Sequence, residues 1–312
     1  MQVLTADAPV WRVEPGQTPR ITVEPGTAVE VSTLDCRGGA IISMADRWQV
    51  DRPDRINPVT GPIGVAGAVA GDTTVVRIDR IELASQGLML VRPSTTAFEF
   101  VDHGELTFVS VGTDTFTLLG RDLPLRPMIG WVGLQPADGS LDTGSCGRTG
   151  GNLDTPLLGA GARVLLPVEV PEAAIYVGDV HASQGDGELF LTGIEIGATV
   201  TLSVDVAADL TVHGPLVETA EVVAVIGPDT GLQDSADGAC TRAVGILRTL
   251  AGVSAYEAGF LLSAACDLRI SRYLPGYGSV CRLEIPKHVL PKNVFDDHGW
   301  LRVDLGEIEP LA

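Results

Sequence analysis

Short runs rich in β-branched residues recur roughly every dozen positions, and nothing else in the sequence constrains the fold as tightly. Thr73 to Ile78, Leu106 to Val111 and Thr199 to Val204 are such runs, and several alternate in polarity. Between them fall most of the 37 Gly and 20 Pro, together with Asp. Branched side chains pack well on a pleated surface, while Gly, Pro and Asp close turns. This pattern predicts a mainly β protein of two packed β-sandwich or barrel-like domains.

One region departs from it. From Ser235 to Leu250 apolar residues recur at helical spacing (Ala239, Ala243, Ile246, Leu247, Leu250), with Asp234 or Ser235 placed to cap. After Gly252, Ser254 and Glu257 form a capping box that opens a second helix running to about Ala265. Leu268 to Tyr273 and Ser279 to Ile285 return to strand patterning. A small α+β element is therefore expected at about 235–290. The Gly, Ser and Asp content of 137–150 suggests a boundary, giving an N-terminal β domain over 1–140 and a C-terminal β domain over 141–312.

Charge narrows the partners. Against 21 Lys and Arg stand 40 Asp and Glu, a formal charge of −19. Such a surface repels nucleic acid and anionic membranes, so neither is expected as a partner. The first residues, Met1 to Asp7, have neither the basic start nor the apolar stretch of a signal peptide. Five cysteines at irregular spacing, with no CxxC pair, read as reduced thiols of a cytoplasmic protein.

Two segments carry polar residues that a packed strand does not need. In Gly150-Gly151-Asn152-Leu153-Asp154-Thr155-Pro156 the paired glycines permit a tight bend that presents Asn152 and Asp154. Such a turn is often structural, its Asn and Asp bonding their own backbone. The segment Gly178 to Glu188 follows a strand over Ala174 to Val177 and precedes one expected over Leu189 to Ile196. Alternation puts Asp179 and His181 on one face, and the loop Ser183 to Gly187 brings Glu188 back beside them. One imidazole among carboxylates suits a divalent metal or an acid/base pair. A hairpin whose Asp and His only bond the turn has the same spacing.

Absences bear on the reaction class. The sequence holds no HExxH, no GxSxG and no phosphate-binding glycine loop. Its lysines, Lys287 and Lys292, follow every cysteine, which is the wrong chain order for Ser–Ser–Lys amidases and for nitrilase-type enzymes.

These segments belong to a longer series that resembles the acetamidase/formamidase family. In order they are Thr33-Leu34-Asp35-Cys36 with Gly38-Gly39, Asn57 to Pro62, and Val65 to Asp72. Gly130 to Pro136, Gly150 to Pro156 and Gly178 to Glu188 follow, and then Ser263 to Arg269 with Ile285-Pro286-Lys287. Where many members read Gly-Cys-Ile-Gly-Val-Ala-Pro, this chain has Gly130-Trp131-Val132-Gly133-Leu134-Gln135-Pro136, a large ring that would reshape a pocket. The resemblance implies hydrolysis of a short linear amide to a carboxylate and ammonia by a homo-oligomer. Unactivated amides need a strong nucleophile, oxyanion stabilisation and a proton for the amine. A metal-activated water meets the first need, the metal being zinc with calcium as the alternative. On that reading His181, Asp154 and Asp35 are metal ligands and Asp179 orients them. Glu188 shuttles the proton, and Asn57 and Asn152 donate to the amide oxygen. Two other readings stay open: a non-catalytic small-ligand-binding β-protein, and a hydrolase of another C–N substrate such as a urea derivative.

Overall fold

The strand Ala198–Ala207 shows how the sequence pattern becomes a layer. Its Ala198, Val200, Leu202 and Val204 are buried while Thr199, Thr201 and Ser203 are half-exposed, the period of two that one covered face requires. In the computed structural model, which describes residues 1–51, 55–93, 96, 98–275 and 278–308, this strand pairs antiparallel with Thr27–Thr33 and with Thr73–Leu83. They belong to a nine-stranded sheet that continues through Arg163–Pro167, Leu216–Glu218, Val222–Ile226 and Val280–Pro286 to an edge strand, Asp267–Arg272.

A six-stranded sheet covers one face. It contains Met128–Leu134 between Gly150–Asn152 and Ile175–His181, with Val59–Val65 beyond. Ile63, Val132, Leu134 and Val177 from this sheet share one apolar core with Val31, Val76, Val164 and Val200 from the larger one. Successive residues of the larger sheet then divide between two cores. Val164 and Leu166 face the smaller sheet, whereas Leu165 joins Val75, Leu216, Val225 and Leu283 in a second core on the far side. That core is closed by helix α1, Leu232–Ala251, through Ala239, Ala243, Ile246 and Leu247. A four-stranded sheet from Gln86–Val91 to Arg121–Pro124 stands beside these layers.

The mainly β class and the C-terminal helical element agree with the expectation, and the sheets are open rather than barrels. Helix α2, Ala255–Ala265, starts with the capping box of Ser254 and Glu257. Helix α1 begins earlier than expected, at a Gly231 cap that makes no side-chain bond, so neither Asp234 nor Ser235 caps it. Ser235 is instead buried, and its hydroxyl accepts from the Cys281 amide at 2.9 Å. The expected strand over Leu189 to Ile196 is a loop in which Glu195 alone forms β-bridges, to Leu88 and to His181. Left-handed φ at Glu188 (42°) and Leu191 (53°) breaks the extended run, and a Leu191 N–H donating to the Glu188 carbonyl closes a turn. Both large sheets draw strands from either side of residue 140, so the layers interleave along the chain.

Candidate active site

The site lies where the strand Ile175–His181 runs out of the smaller sheet. There His181 is paired across from Met128, and Gly178 from Trp131 on one neighbour and Val59 on the other. Asp179 and His181 therefore sit inside a sheet, and Asp154 follows Gly150–Asn152, the strand on the far side of Met128–Leu134. Gly130 makes room for them. A Cβ there would lie 2.8 Å from Asp154 Oδ1 and 2.9 Å from Asp179 Oδ2. Gly193 does the same for the imidazole, since its Cβ would stand 2.6 Å from the His181 ring.

Two groups of ligand atoms share His181: Asp154, His181 and Glu188, and Asp179, His181 and Glu195, each set lying within 4.8 Å. All five residues are buried. Three of the carboxylates are held in the same manner, one oxygen fixed and the other open. Asp154 Oδ2 accepts from Asn152 Nδ2 at 2.6 Å and Arg272 Nη1 at 3.0 Å. Asp179 Oδ2 accepts from Asn57 Nδ2 at 2.8 Å. Glu195 Oε1 accepts from Thr192 Oγ1 and the Gly193 amide, both at 3.2 Å. The opposite oxygens, Asp154 Oδ1, Asp179 Oδ1 and Glu195 Oε2, are buried without a hydrogen-bond partner, as are Glu188 Oε2 and His181 Nε2. His181 Nε2 stands 3.2 Å from Glu195 Oε2 and 3.6 Å from Asp179 Oδ1, out of hydrogen-bond alignment with either.

The imidazole's other nitrogen is spoken for. Gln184 Nε2 donates to the carbonyls of Asp154 (2.7 Å) and Ser271 (3.4 Å), so its Oε1 faces His181 Nδ1 at 2.7 Å as acceptor. Nδ1 then carries the proton, and in the neutral ring Nε2 presents a lone pair to the open oxygens. Converging, partnerless buried acceptors around such a nitrogen have the chemistry of a cation site, and these residues fit a divalent metal.

Without a cation, protons take its place. Burial, then the neighbouring carboxylate charges, pushes Asp154 and Asp179 up to about 6, the Arg272 guanidinium and His181 respectively opposing the rise. Burial, then Asp154, lifts Glu188 well above the usual carboxylate range. Burial disfavours a charged His181, but the facing Glu195 and Asp179 outweigh it and raise the imidazole well above its ordinary value. The backbone is also unusual here, with left-handed φ at Asn57 (51°), Asp154 (45°), Asp179 (54°) and Glu188 (42°). Asn and Asp tolerate that region, Glu does not, and such residues collect at functional sites.

Most of the expected site residues converge, with three differences. Asp35 stands outside both groups, because its Oδ1 accepts the amides of Arg37 (2.8 Å) and Gly39 (3.0 Å) and closes its own turn. Asn57 and Asn152 donate to Asp179 and Asp154, so they aim carboxylates rather than an amide oxygen. Gln184, not Asp179, orients His181. Glu195, Gln184 and Arg272 are absent from the sequence reading. Trp131 packs edge-on against Tyr176 at 6.4 Å, beside Val13 and Val59. Strand alternation turns it away from the face where Gly130 meets the aspartates. Cys36 is buried, and its thiol is pushed well above the ordinary range by burial and then by Glu195.

Fold and site together define an open-sheet, mainly β protein with a buried histidine–carboxylate centre of a composition that can hold a metal ion. Comparison with known proteins gives the lineage: residues 136–296 match the model of the acetamidase/formamidase family, and the chain belongs to that family. It superposes on the acetamidase of Bacillus halodurans with a TM-score of 0.87 at 32% identity, over 92% of this chain and 97% of that one. The acetamidase of Yersinia enterocolitica gives 0.87 at 27% identity, over 93% of each chain. A formamidase of Methylophilus methylotrophus is 41% identical over 61 residues, 19% of this chain and 15% of that protein. Matches to the curated relatives thus span less than a fifth of their lengths.

Proposed function

We propose that this protein is an amidase that hydrolyses the C–N bond of a short linear amide, formamide- or acetamide-like, to a carboxylate and ammonia. One observation carries the reading: three buried carboxylates each keep one oxygen tied and one open, and the open oxygens converge with His181 Nε2 and Glu188. His181, Asp179, Glu195 and Asp154 are the residues that would hold a divalent cation. The imidazole nitrogen favours zinc over calcium, which takes oxygen ligands. When bound, such a cation supplies Lewis-acid charge and lowers the pKa of water to roughly 7.

The chain's own groups account for the rest. Asn57, Asn152 and Arg272 keep the aspartates aimed, and Gln184 fixes the imidazole. Water adds to the carbonyl carbon, and the C–N bond breaks as the nitrogen takes a proton. Glu188 would carry that proton, taking it from the attacking water and passing it to the departing nitrogen, so that its carboxylate ends as it began. Cys36 has no nucleophilic part, since its thiol stays protonated. We also propose a cytoplasmic homo-oligomer, in keeping with five unpaired cysteines and with exposed Tyr256 and Phe260 on helix α2 and Leu268 on the edge strand after it.

Metal analysis joined to ammonia release from formamide, acetamide, longer amides and urea tests the reading. His181→Ala should lower bound metal and activity together. Glu188→Gln should keep its metal while kcat falls ~10²–10⁴-fold, and Asp179→Asn, which removes one ligand charge, should lower bound metal and activity together. Loss of turnover in Cys36→Ser with full activity in His181→Ala would sink the proposal, and ammonia release from none of the amides would favour a binding protein.

A further inference from the structure

Glu188 is aimed without being held by its own carboxyl. Its Oε2 is buried and has no hydrogen-bond partner, and its backbone is left-handed at φ 42°, a region unfavourable to a non-glycine residue. Something behind it must fix the chain. Gly187, the residue before, donates its amide to the Ser271 carbonyl at 3.1 Å and accepts from the Tyr273 amide at 2.8 Å. Asp186, one residue further back, meets Arg282 with both oxygens, Oδ1 to Nη1 at 2.8 Å and Oδ2 to Nη2 at 2.9 Å. A bidentate guanidinium–carboxylate pair fixes orientation as well as distance. Arg282 is buried and rooted in the sheet, while Asp186 is partly exposed on the loop.

We propose that the Asp186–Arg282 pair locks the loop so that Glu188 points into the site, which makes Asp186 a positioning residue for the proton donor. This rests on the amidase reading above. Asp186 touches none of the reacting groups, and its effect passes through Glu188. Arg282 keeps Glu284 Oε1 at 2.8 Å and Ser271 Oγ at 3.0 Å when Asp186 is replaced, so no bare buried cation remains.

A double-mutant cycle tests the coupling. In the metal-loaded full chain, Asp186→Ala should lower kcat about 10–100-fold, as a misplaced group does, with KM within about twofold. Metal content and the far-ultraviolet spectrum should not change, and Asp186→Asn, which keeps one acceptor for Arg282, should recover part of the loss. In a Glu188→Gln background the same Asp186→Ala change should cost less than about twofold, because nothing is left to aim. An equal fold-loss in both backgrounds, or no loss in the native one, overturns the proposal. Full activity in Glu188→Gln alone overturns the role of Glu188, a distinct failure that the cycle reports separately. Should Asp186→Ala misfold, Asp186→Asn carried through the same cycle decides the matter.

Discussion

Asp154 and Asp179 make the metal-free protein sensitive to pH in a direction opposite to that of an aspartate whose pKa a salt bridge has lowered. Their ordinary value is 3.8, and burial raises both to about 6 in the folded chain. Between those values the folded state keeps protons that the unfolded chain has released. The stability they confer is therefore whole below about pH 4 and is lost as pH rises through about 6. Thermal melts of the metal-free protein should fall between pH 5 and pH 7.5, relative to a variant carrying Asp154→Asn and Asp179→Asn. A native protein that gains stability over that range relative to the variant would contradict the assignment. Four of the residues that converge, Asp154, Asp179, His181 and Glu188, are legible in the sequence because glycine-flanked polar side chains in a β pattern have no packing purpose. Glu195 is not, since Ile194 and Ile196 on either side give it the alternation of an ordinary strand. Arg272 is hidden for another reason: its partners Asp154 and Asp229 are remote in sequence and meet it only through the sheet.

At the scale of elements, local chemistry and tertiary chemistry separate cleanly. Helix α2 is written into its own residues, with Ser254 Oγ accepting the Glu257 amide at 3.3 Å and Glu257 Oε2 accepting the Ser254 amide at 2.8 Å. Among its residues only Ala258 is buried, so the cap acts locally. Ser254→Ala should cost about 1 kcal/mol, a fall in Tm of about 2 °C by calorimetry, with kcat unchanged. A loss of activity in that variant would mean that α2 is coupled to the site. The loop after His181 is the converse case. Its composition reads as a hairpin, yet its path follows contacts from Ser271, Tyr273 and Arg282 that no local pattern announces.

For the whole molecule, helix α2 and the edge strand Asp267–Arg272 that follows it expose Tyr256 at 84%, Phe260 at 72% and Leu268 at 50%. Exposed apolar groups on this helix and the edge strand beside it favour covering by a second copy. Light scattering at micromolar concentration should give a multiple of 32.6 kDa, and Phe260→Glu should shift it toward that mass. A native chain that scatters as a monomer would refute the assembly. The interleaving of the sheets has a consequence for synthesis. Among the described residues, Thr27–Thr33 finds its antiparallel partner in Ala198–Ala207, so an early strand waits on the ribosome for one made long afterwards. Until then one backbone edge of this strand is unpaired, and slow non-local pairing of this kind exposes a nascent chain to aggregation. The first half is therefore a dependent passenger of the second, and expression conditions that slow translation or supply holding chaperones should govern its yield.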